Sequence, residues 1–317
     1  MANEHSKQPN PGDSTSEISL SDIQSDIEAL ERNQALYNEK NFTSRAEAID
    51  FIDFHVIGRI ESPLPYGKLV QQFSSLKERA ENLKCRLEEV DNSMFKKLRG
   101  DIKTGKCRGE AFKEMVMDYL KQNPDRQEGQ TVAGYDNLDA FINGLLLEEP
   151  LPDETPHREP EMVFYQQTPA RVIFELIEKA DFKAEDVFYD LGSGLGHVPI
   201  LANLLSGVKA KGVEFEPAYC CYAAGSAAAL NLPGVQFVNM DARQADYSDG
   251  TVFFMYTPFE GKMLDEVLEK LRLESQRRKI KLFTYGPCTI EVAKESWLSC
   301  ECPMERCIYK LTIFNSL

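Results

Sequence analysis

The chain has 317 residues, which suggests about two domains, and 42% of them are hydrophobic, enough to bury sizeable cores. This composition excludes a wholly disordered chain. The formal net charge is −15, with 19 basic against 27 acidic residues in residues 1–150 and 17 against 24 in residues 151–317. A chain that is acidic throughout repels phosphate backbones, and we therefore expect no general nucleic-acid binding. A basic peptide or a small molecule is the favoured binding partner.

We expect no targeting or membrane-spanning segment in this sequence. Its first residues lack the basic segment and apolar run of a signal peptide, and the most apolar run, Val198–Leu205, is too short to cross a bilayer. Eight cysteines without such a signal predict free thiols in a reducing compartment. We therefore expect a cytoplasmic protein that does not associate with membranes.

The first half predicts a helical domain over residues 18–147, preceded by a polar, disordered tail over residues 1–17. Its clearest feature is a heptad seam that predicts one long helix. The seam is formed by Leu69, Phe73, Leu76, Ala80, Leu83, Leu87, Val90 and Met94. We favour a hairpin with the following helix, which carries Phe112 and Tyr119, with the turn at residues 100–109. The alternative partner is a second copy of the chain, which would make a homodimer through this helix.

Residues 148–161 are rich in proline and acidic side chains, which predicts an extended linker. From residue 162 to residue 317 strands and helices alternate, which predicts a parallel sheet with helices on both faces. Thr168 is the expected N-cap of the first helix there, with Pro169 in its first turn. The end of the chain predicts two strands joined by a tight turn, and hence a final antiparallel strand pair.

A glycine-rich turn follows the first predicted strand. Asp190 precedes glycines at 192, 194 and 196, and a helix begins at once. Such a turn lets the backbone approach a ligand, and the helix N-terminus adds free N–H donors. An NAD-dependent oxidoreductase would need the third glycine at position 197, where this chain has His. We expect this His197 to support the turn rather than to act in catalysis.

The form Asp-x-Gly-x-Gly-x-Gly resembles motif I of the class I S-adenosylmethionine-dependent methyltransferases. Three later segments are similar to motifs II, III and IV of that family: Gly212–Pro217, Asn239–Ala242 and Val252–Phe259. The resemblance implies a Rossmann-like sheet and S-adenosylmethionine as cofactor, with Glu214 on the ribose and Asp241 on the adenine amino group. The cofactor-binding residues that it implies are Tyr165, Thr168, Asp190, Gly192, Gly194, Gly196, Glu214, Met240, Asp241 and Ala242.

Within that family the chain most resembles the class I, non-SET protein-lysine methyltransferases of the histone type. The resemblance rests on the segments Asp190–Gly196 and Tyr165–Pro169. Thr257-Pro258-Phe259 differs from the Asn/Asp-Pro-Pro-aromatic motif of enzymes that methylate exocyclic amines of nucleic-acid bases. The resemblance thus implies methylation of a protein side chain such as Lys.

An apolar channel would keep the lysine amine neutral. The expected catalytic residues are Tyr165, Tyr256, Thr257 and Phe259, and Tyr285 is a further candidate for the channel wall. In the alternative interpretation Tyr256 and Tyr285 are aromatic residues of the core. Two other functions stay open at this point: methylation of a small molecule with the helical domain as a lid, and a non-catalytic binding module. We predict no metal site, because the cysteines near the C-terminus lack paired Cys-x-x-Cys spacing.

Overall fold

The structure is a computed structural model that describes residues 20–61, 70–120, 134–155, 158–301 and 308–317. The chain divides into two compact units: Met1–Asn38 with Ser44–Val90, and Glu39–Thr43 with Asp91–Leu317. These units do not coincide with the domains expected at 18–147 and 162–317, which stay a prediction. The expected tail and Leu69 of the seam lie outside the described residues.

The first unit is helical. Its elements are α1 (Leu20–Arg32), most of α2 (Phe42–Phe51), a π-helix (Ile52–Ile57), α3 (Gly58–Glu61) and the first part of α4 (Val70–Lys103). Helix α4 confirms the long helix that the heptad seam predicts, and it continues past the start of the expected turn. Seam residues such as Ala80, Leu83 and Leu87 are fully buried, and they share one core with Ile23 of α1 and Ile52 of the π-helix.

The favoured hairpin is therefore wrong for this part of the seam, which is covered by helices that precede it in the chain. The physical reason is that the heptad pattern reports an apolar stripe and not the element that packs on it. The alternative homodimer stays a prediction.

The second unit holds the rest of α4, α5 (Glu110–Leu120), α6 (Asn137–Leu146) and a seven-stranded sheet with its helices. The strands are β1 (Val187–Leu191), β2 (Lys209–Glu214), β3 (Val235–Asn239), β4 (Val252–Met255), β5 (Lys281–Thr284), β6 (Leu298–Cys300) and β7 (Thr312–Ser316). Their order is β3-β2-β1-β4-β5-β7-β6. The first five strands pair in parallel and β7 pairs antiparallel to both β5 and β6, which confirms the expected fold.

The helices of this sheet are α7 (Ala170–Ala180), α8 (His197–Ser206), α9 (Pro217–Ala229), α10 (Gly261–Ser275) and α11 (Cys288–Val292). Helix α10 packs Met263 and Val267 against the side chains of Tyr189 and Leu191 on one sheet face. Helices α8 and α9 contact β2 and β3. No helix within the described ranges combines the length and the apolar character needed to cross a membrane.

Two local predictions are wrong. The connection between β6 and β7 runs from residue 301 to residue 311, so it is not a tight turn. Helix α7 has Pro169, not Thr168, at its N-cap. Because proline has no side-chain acceptor, Asp139 of α6 supplies one, and the Ala170 N–H donates to its Oδ1 at 2.7 Å.

Candidate active site

A cleft lies at the carboxyl ends of β1, β2, β3 and β4. In an open parallel sheet this edge is where ligands bind, because the loops that follow the strands converge there. One side is closed by residues 162–166, whose backbone pairs with the segment after β4 through a bridge between Met162 and Phe259. The predicted residues that line the cleft are Tyr165, Gly192, Glu214, Met240, Asp241, Ala242, Tyr256, Thr257 and Phe259.

The glycine turn between β1 and α8 needs glycine for two reasons. Gly192, Gly194 and Gly196 all have positive φ, at +79°, +50° and +84°. A Cβ on Gly192 would stand 2.3 Å from the Pro258 Cβ, and one on Gly194 would stand 2.2 Å from the Tyr165 ring. Side chains at these two positions would therefore push the walls of the cleft apart.

Gly196 differs from the other two glycines. It is the N-cap of α8, and a Cβ there would meet Phe237 and Ala223. Like Gly194, it is not among the residues that line the cleft or the smaller cavity beside it. These contacts give it a packing role, so its expected direct contact with the cofactor stays a prediction.

Glu214 stands at the end of β2 with its carboxylate held in place. Oε2 accepts the Gly194 N–H at 2.7 Å and Oε1 accepts the Glu216 N–H at 2.8 Å. Burial raises the pKa of Glu214, and these backbone donors partly oppose the rise. A carboxylate has about four acceptor positions. Two bonds therefore leave capacity for a pair of ribose hydroxyls.

Asp241 lines the cleft and has a partner, Arg243, that the sequence analysis did not identify. Its carboxylate accepts hydrogen bonds from the Arg243 side chain, at 2.6 Å for the shortest, and this contact lowers the pKa of Asp241. Arg243 also pairs with Glu159 at 2.6 Å. Phe215 is a second residue that was missed. It lies on the cleft 38% exposed, and its position directly after Glu214 was the available signal.

A smaller cavity of about 30 Å³ opens beside the glycine turn. Thr168, Asp190, Ser193 and His197 line it together with Tyr165. Burial, and after it the Glu214 charge, raises the pKa of Asp190 well above its ordinary range. The Tyr165 hydroxyl and the Ser193 Oγ are buried with no hydrogen-bond partner among the described residues.

Buried hydroxyl groups without partners cost about 1–3 kcal/mol each, so their presence points to a bound polar group. An amino group in this cavity would pair with the Asp190 carboxylate, which lines it. With Glu214 in reach of a ribose, the residues fit the amino acid and nucleoside ends of S-adenosylmethionine. When bound, that cofactor supplies an electrophilic methyl group on sulfur.

Tyrosine rings gather at the carboxyl end of β4. Tyr256 meets Tyr285 with ring centroids 4.9 Å apart, and Tyr285 meets Tyr309 at 5.8 Å. Tyr285 is buried and is not among the residues that line the cleft, so it supports Tyr256 from behind. Phe259 is only 4% exposed, and it belongs to the hydrophobic core as well as to the wall of the cleft.

Thr257 adopts a left-handed φ of +41°, which is uncommon for a β-branched residue. Its Oγ1 accepts the Cys288 N–H at 3.1 Å, so the hydroxyl is held by the loop after β5. The structure thus brings Tyr165, Tyr256, Thr257 and Phe259 to one cleft, while their catalytic roles stay a prediction. In the described part of the chain no group of three or more His, Cys, Asp or Glu residues is placed to hold a metal.

Comparison with known proteins points to the same region. A family model described as "Histone methylation protein DOT1" matches residues 161–254. No curated protein sequence matches the chain. Similar solved structures include an RNA methyltransferase from Salinibacter ruber with S-adenosyl-L-homocysteine (24% identity, 48% of this chain and 92% of that one, TM-score 0.38). Another is a precorrin-6y C5,15-methyltransferase from Geobacter metallireducens (20% identity, 48% and 89%, TM-score 0.36).

The strand order with its antiparallel β7 is that of a methyltransferase sheet, and the cleft at its carboxyl edge presents the acidic and unpartnered polar groups that the cofactor needs. The DOT1 match covers β1 to β4, which carry this edge. The sheet therefore has the fold of the class I S-adenosylmethionine-dependent methyltransferases, and residues 161–254 are similar to the DOT1 histone methylation family.

Proposed function

We propose that this methyltransferase acts on the side-chain amine of lysine in a protein. The observation that carries the proposal is the tyrosine-rich wall at the carboxyl end of β4, where Tyr256 lines the cleft and Tyr285 backs it. An aromatic, weakly polar wall lowers the pKa of an entering lysine, which must be neutral to attack the methyl group. The same rings stabilise the methylated ammonium product through cation–π attraction.

The residues beside this wall also suit an amine better than a hydroxyl acceptor. A hydroxyl acceptor needs a general base to take its proton during attack. The segment after β4 offers Tyr256, Thr257, Pro258 and Phe259. Burial raises the pKa of Tyr256, so its hydroxyl stays protonated, and the Thr257 hydroxyl is held by the loop after β5. A lysine that arrives neutral needs no such base.

Two further facts favour a protein acceptor. The net charge of −15 attracts basic segments and repels phosphate backbones. The matching family model is described as a histone methylation protein. A basic, lysine-containing segment of a protein is thus the acceptor class that the site supports best.

The test incubates the purified 317-residue chain and radiolabelled S-adenosylmethionine with lysate from a strain that lacks the gene. We expect label on protein that survives acid hydrolysis as methyl-lysine. Tyr256→Phe keeps the ring and is expected to retain most of the signal, whereas Tyr256→Ala removes the wall and is expected to lose it. Tyr222→Phe is the matched control, because its hydroxyl bonds to the Glu149 carbonyl away from the cleft.

Label confined to the small-molecule or RNA fraction would refute the protein acceptor. Methyl-lysine that is equally abundant with Tyr256→Ala would refute the tyrosine wall. S-adenosylhomocysteine binding by calorimetry is measured for each variant, so that a loss of cofactor affinity is not mistaken for a loss of the acceptor site.

A further inference from the structure

We infer that Asn143 of helix α6 is a positioning residue for cofactor binding. Its Oδ1 lies 2.8 Å from Gln167 Nε2 and 3.0 Å from His197 Nε2. Gln167 belongs to the segment that presents Tyr165 to the cleft, and His197 is the first residue of α8, directly after the glycine turn. Through these two side chains, one amide oxygen links the Tyr165 segment to the start of α8. The amino acid end of the cofactor is expected between these two segments.

In the structure the Asn143 atom at this junction is the amide oxygen, and the Gln167 Nε2 donates to it. His197 must then carry its proton on Nε2 to donate to the same oxygen. Burial lowers the pKa of His197 to about 4, so the ring is neutral and this is its only N–H. Both donors thus depend on a single acceptor.

Helix α6 and Tyr135, two residues before it, hold the Tyr165 segment at two more points. The Tyr135 hydroxyl donates to the Gln167 carbonyl at 2.7 Å, and Asp139 Oδ1 accepts the Ala170 N–H at 2.7 Å. The Tyr165 ring rests on Gly194 between these attachments and the cleft. Asn143 itself is not among the residues that line the cleft or the smaller cavity. Its influence on the cofactor must therefore pass through Gln167 and His197.

Removing the oxygen leaves two largely buried donors without an acceptor, which frees the Tyr165 segment and misplaces the glycine turn. We expect Asn143→Ala to weaken S-adenosylhomocysteine binding about tenfold, as the loss of one or two hydrogen bonds predicts. Asn143→Asp keeps an acceptor oxygen in place for both donors. Its affinity should stay within about threefold of the wild type.

Asn203→Ala is the matched control, because Asn203 is also half-buried and its Nδ2 donates to the Val208 carbonyl at 2.8 Å, away from the Tyr165 segment. The measurements are calorimetry with S-adenosylhomocysteine, urea unfolding, and hydrogen exchange of peptides from residues 160–170. We expect Asn143→Ala to speed exchange in those peptides and to weaken binding. Asn203→Ala should lower the free energy of unfolding by a similar amount, but it should leave both the exchange of those peptides and S-adenosylhomocysteine binding unchanged.

Gln167→Ala removes the same link from its other end and gives a test if Asn143→Ala does not fold. It should weaken S-adenosylhomocysteine binding by a similar factor. The double variant with Asn143→Ala and Gln167→Ala should bind S-adenosylhomocysteine as well as either single variant does. Wild-type affinity in Asn143→Ala would overturn the inference. An Asp variant as weak as the Ala variant, or an equal loss of affinity in Asn203→Ala, would overturn it too.

Discussion

Gly194→Ala tests whether the contact between the glycine turn and Tyr165 forms the cofactor site. Gly194 has φ +50°, where an Ala costs roughly 1–2 kcal/mol. The new Cβ would lie 2.2 Å from the Tyr165 ring. Ordinary carbon contacts are about 3.5–4.0 Å, so the ring must retreat by more than about 1 Å. Overpacking of this kind costs about another 1–3 kcal/mol.

Gly207→Ala is the matched control. Gly207 has φ +75° at the end of α8, and nothing lies within 4 Å of a Cβ built there. It should lose only the roughly 1–2 kcal/mol of unfolding free energy that the left-handed conformation costs, and it should keep its affinity for S-adenosylhomocysteine. Gly194→Ala should lose about 2–5 kcal/mol of unfolding free energy and bind at least about tenfold more weakly, as measured by urea unfolding and calorimetry. Equal stability losses and unchanged affinity in both variants would refute the steric reasoning.

Two further predictions concern pH. Asp190 has a raised pKa in the folded protein, so the folded state keeps a proton that the unfolded chain loses, and stability falls as the pH rises from about 4. Asp190→Asn should remove this decline, so urea unfolding should show it to be more stable than the wild type at pH 7. It should bind S-adenosylhomocysteine more weakly. A variant less stable than the wild type would contradict this prediction. The second concerns His197, whose pKa burial lowers to about 4. Between pH 6.5 and 4 the unfolded chain takes up a proton on this imidazole and the folded state does not. The free energy of unfolding is therefore unaffected by this group above pH 6.5 and falls as the pH drops toward 4. His197→Gln should reduce acid destabilisation over that range by about 3 kcal/mol, and an unchanged pH profile would refute the buried neutral imidazole.

Local pattern was enough for the part of the sheet that carries the glycine turn. The strands β1, β2 and β3 alternate with helices α8 and α9, as the pattern from residue 162 onward predicts, and α8 begins directly after the glycine turn. Short apolar runs between turn residues can form little else when helices cover them. The acidic residues at the carboxyl ends of β1 and β2, Asp190 and Glu214, could likewise be placed at one edge, because parallel strands end there together.

Contacts between distant residues lay beyond that reach. The acceptor that caps α7 comes from Asp139, 31 positions before Ala170, and the expected Thr168 cap was the nearest local substitute. The ion pair of Arg243 with Glu159 and the contact of Asn143 with His197 likewise join side chains far apart in the chain. The heptad seam identified its helix but not its covering helices, because any apolar surface of suitable shape can cover such a stripe.

The sequence by itself determined the element types of the sheet region, the parallel sheet and the glycine turn, since periodicity and glycine conformation act within a few residues. The tertiary structure alone decided which of those residues meet. It set the Tyr165 ring on Gly194, left the Tyr165 and Ser193 hydroxyls buried beside Asp190, and turned the Thr257 hydroxyl toward Cys288. These outcomes depend on packing between segments far apart in the chain, where contact distances of a few ångströms follow from the whole fold.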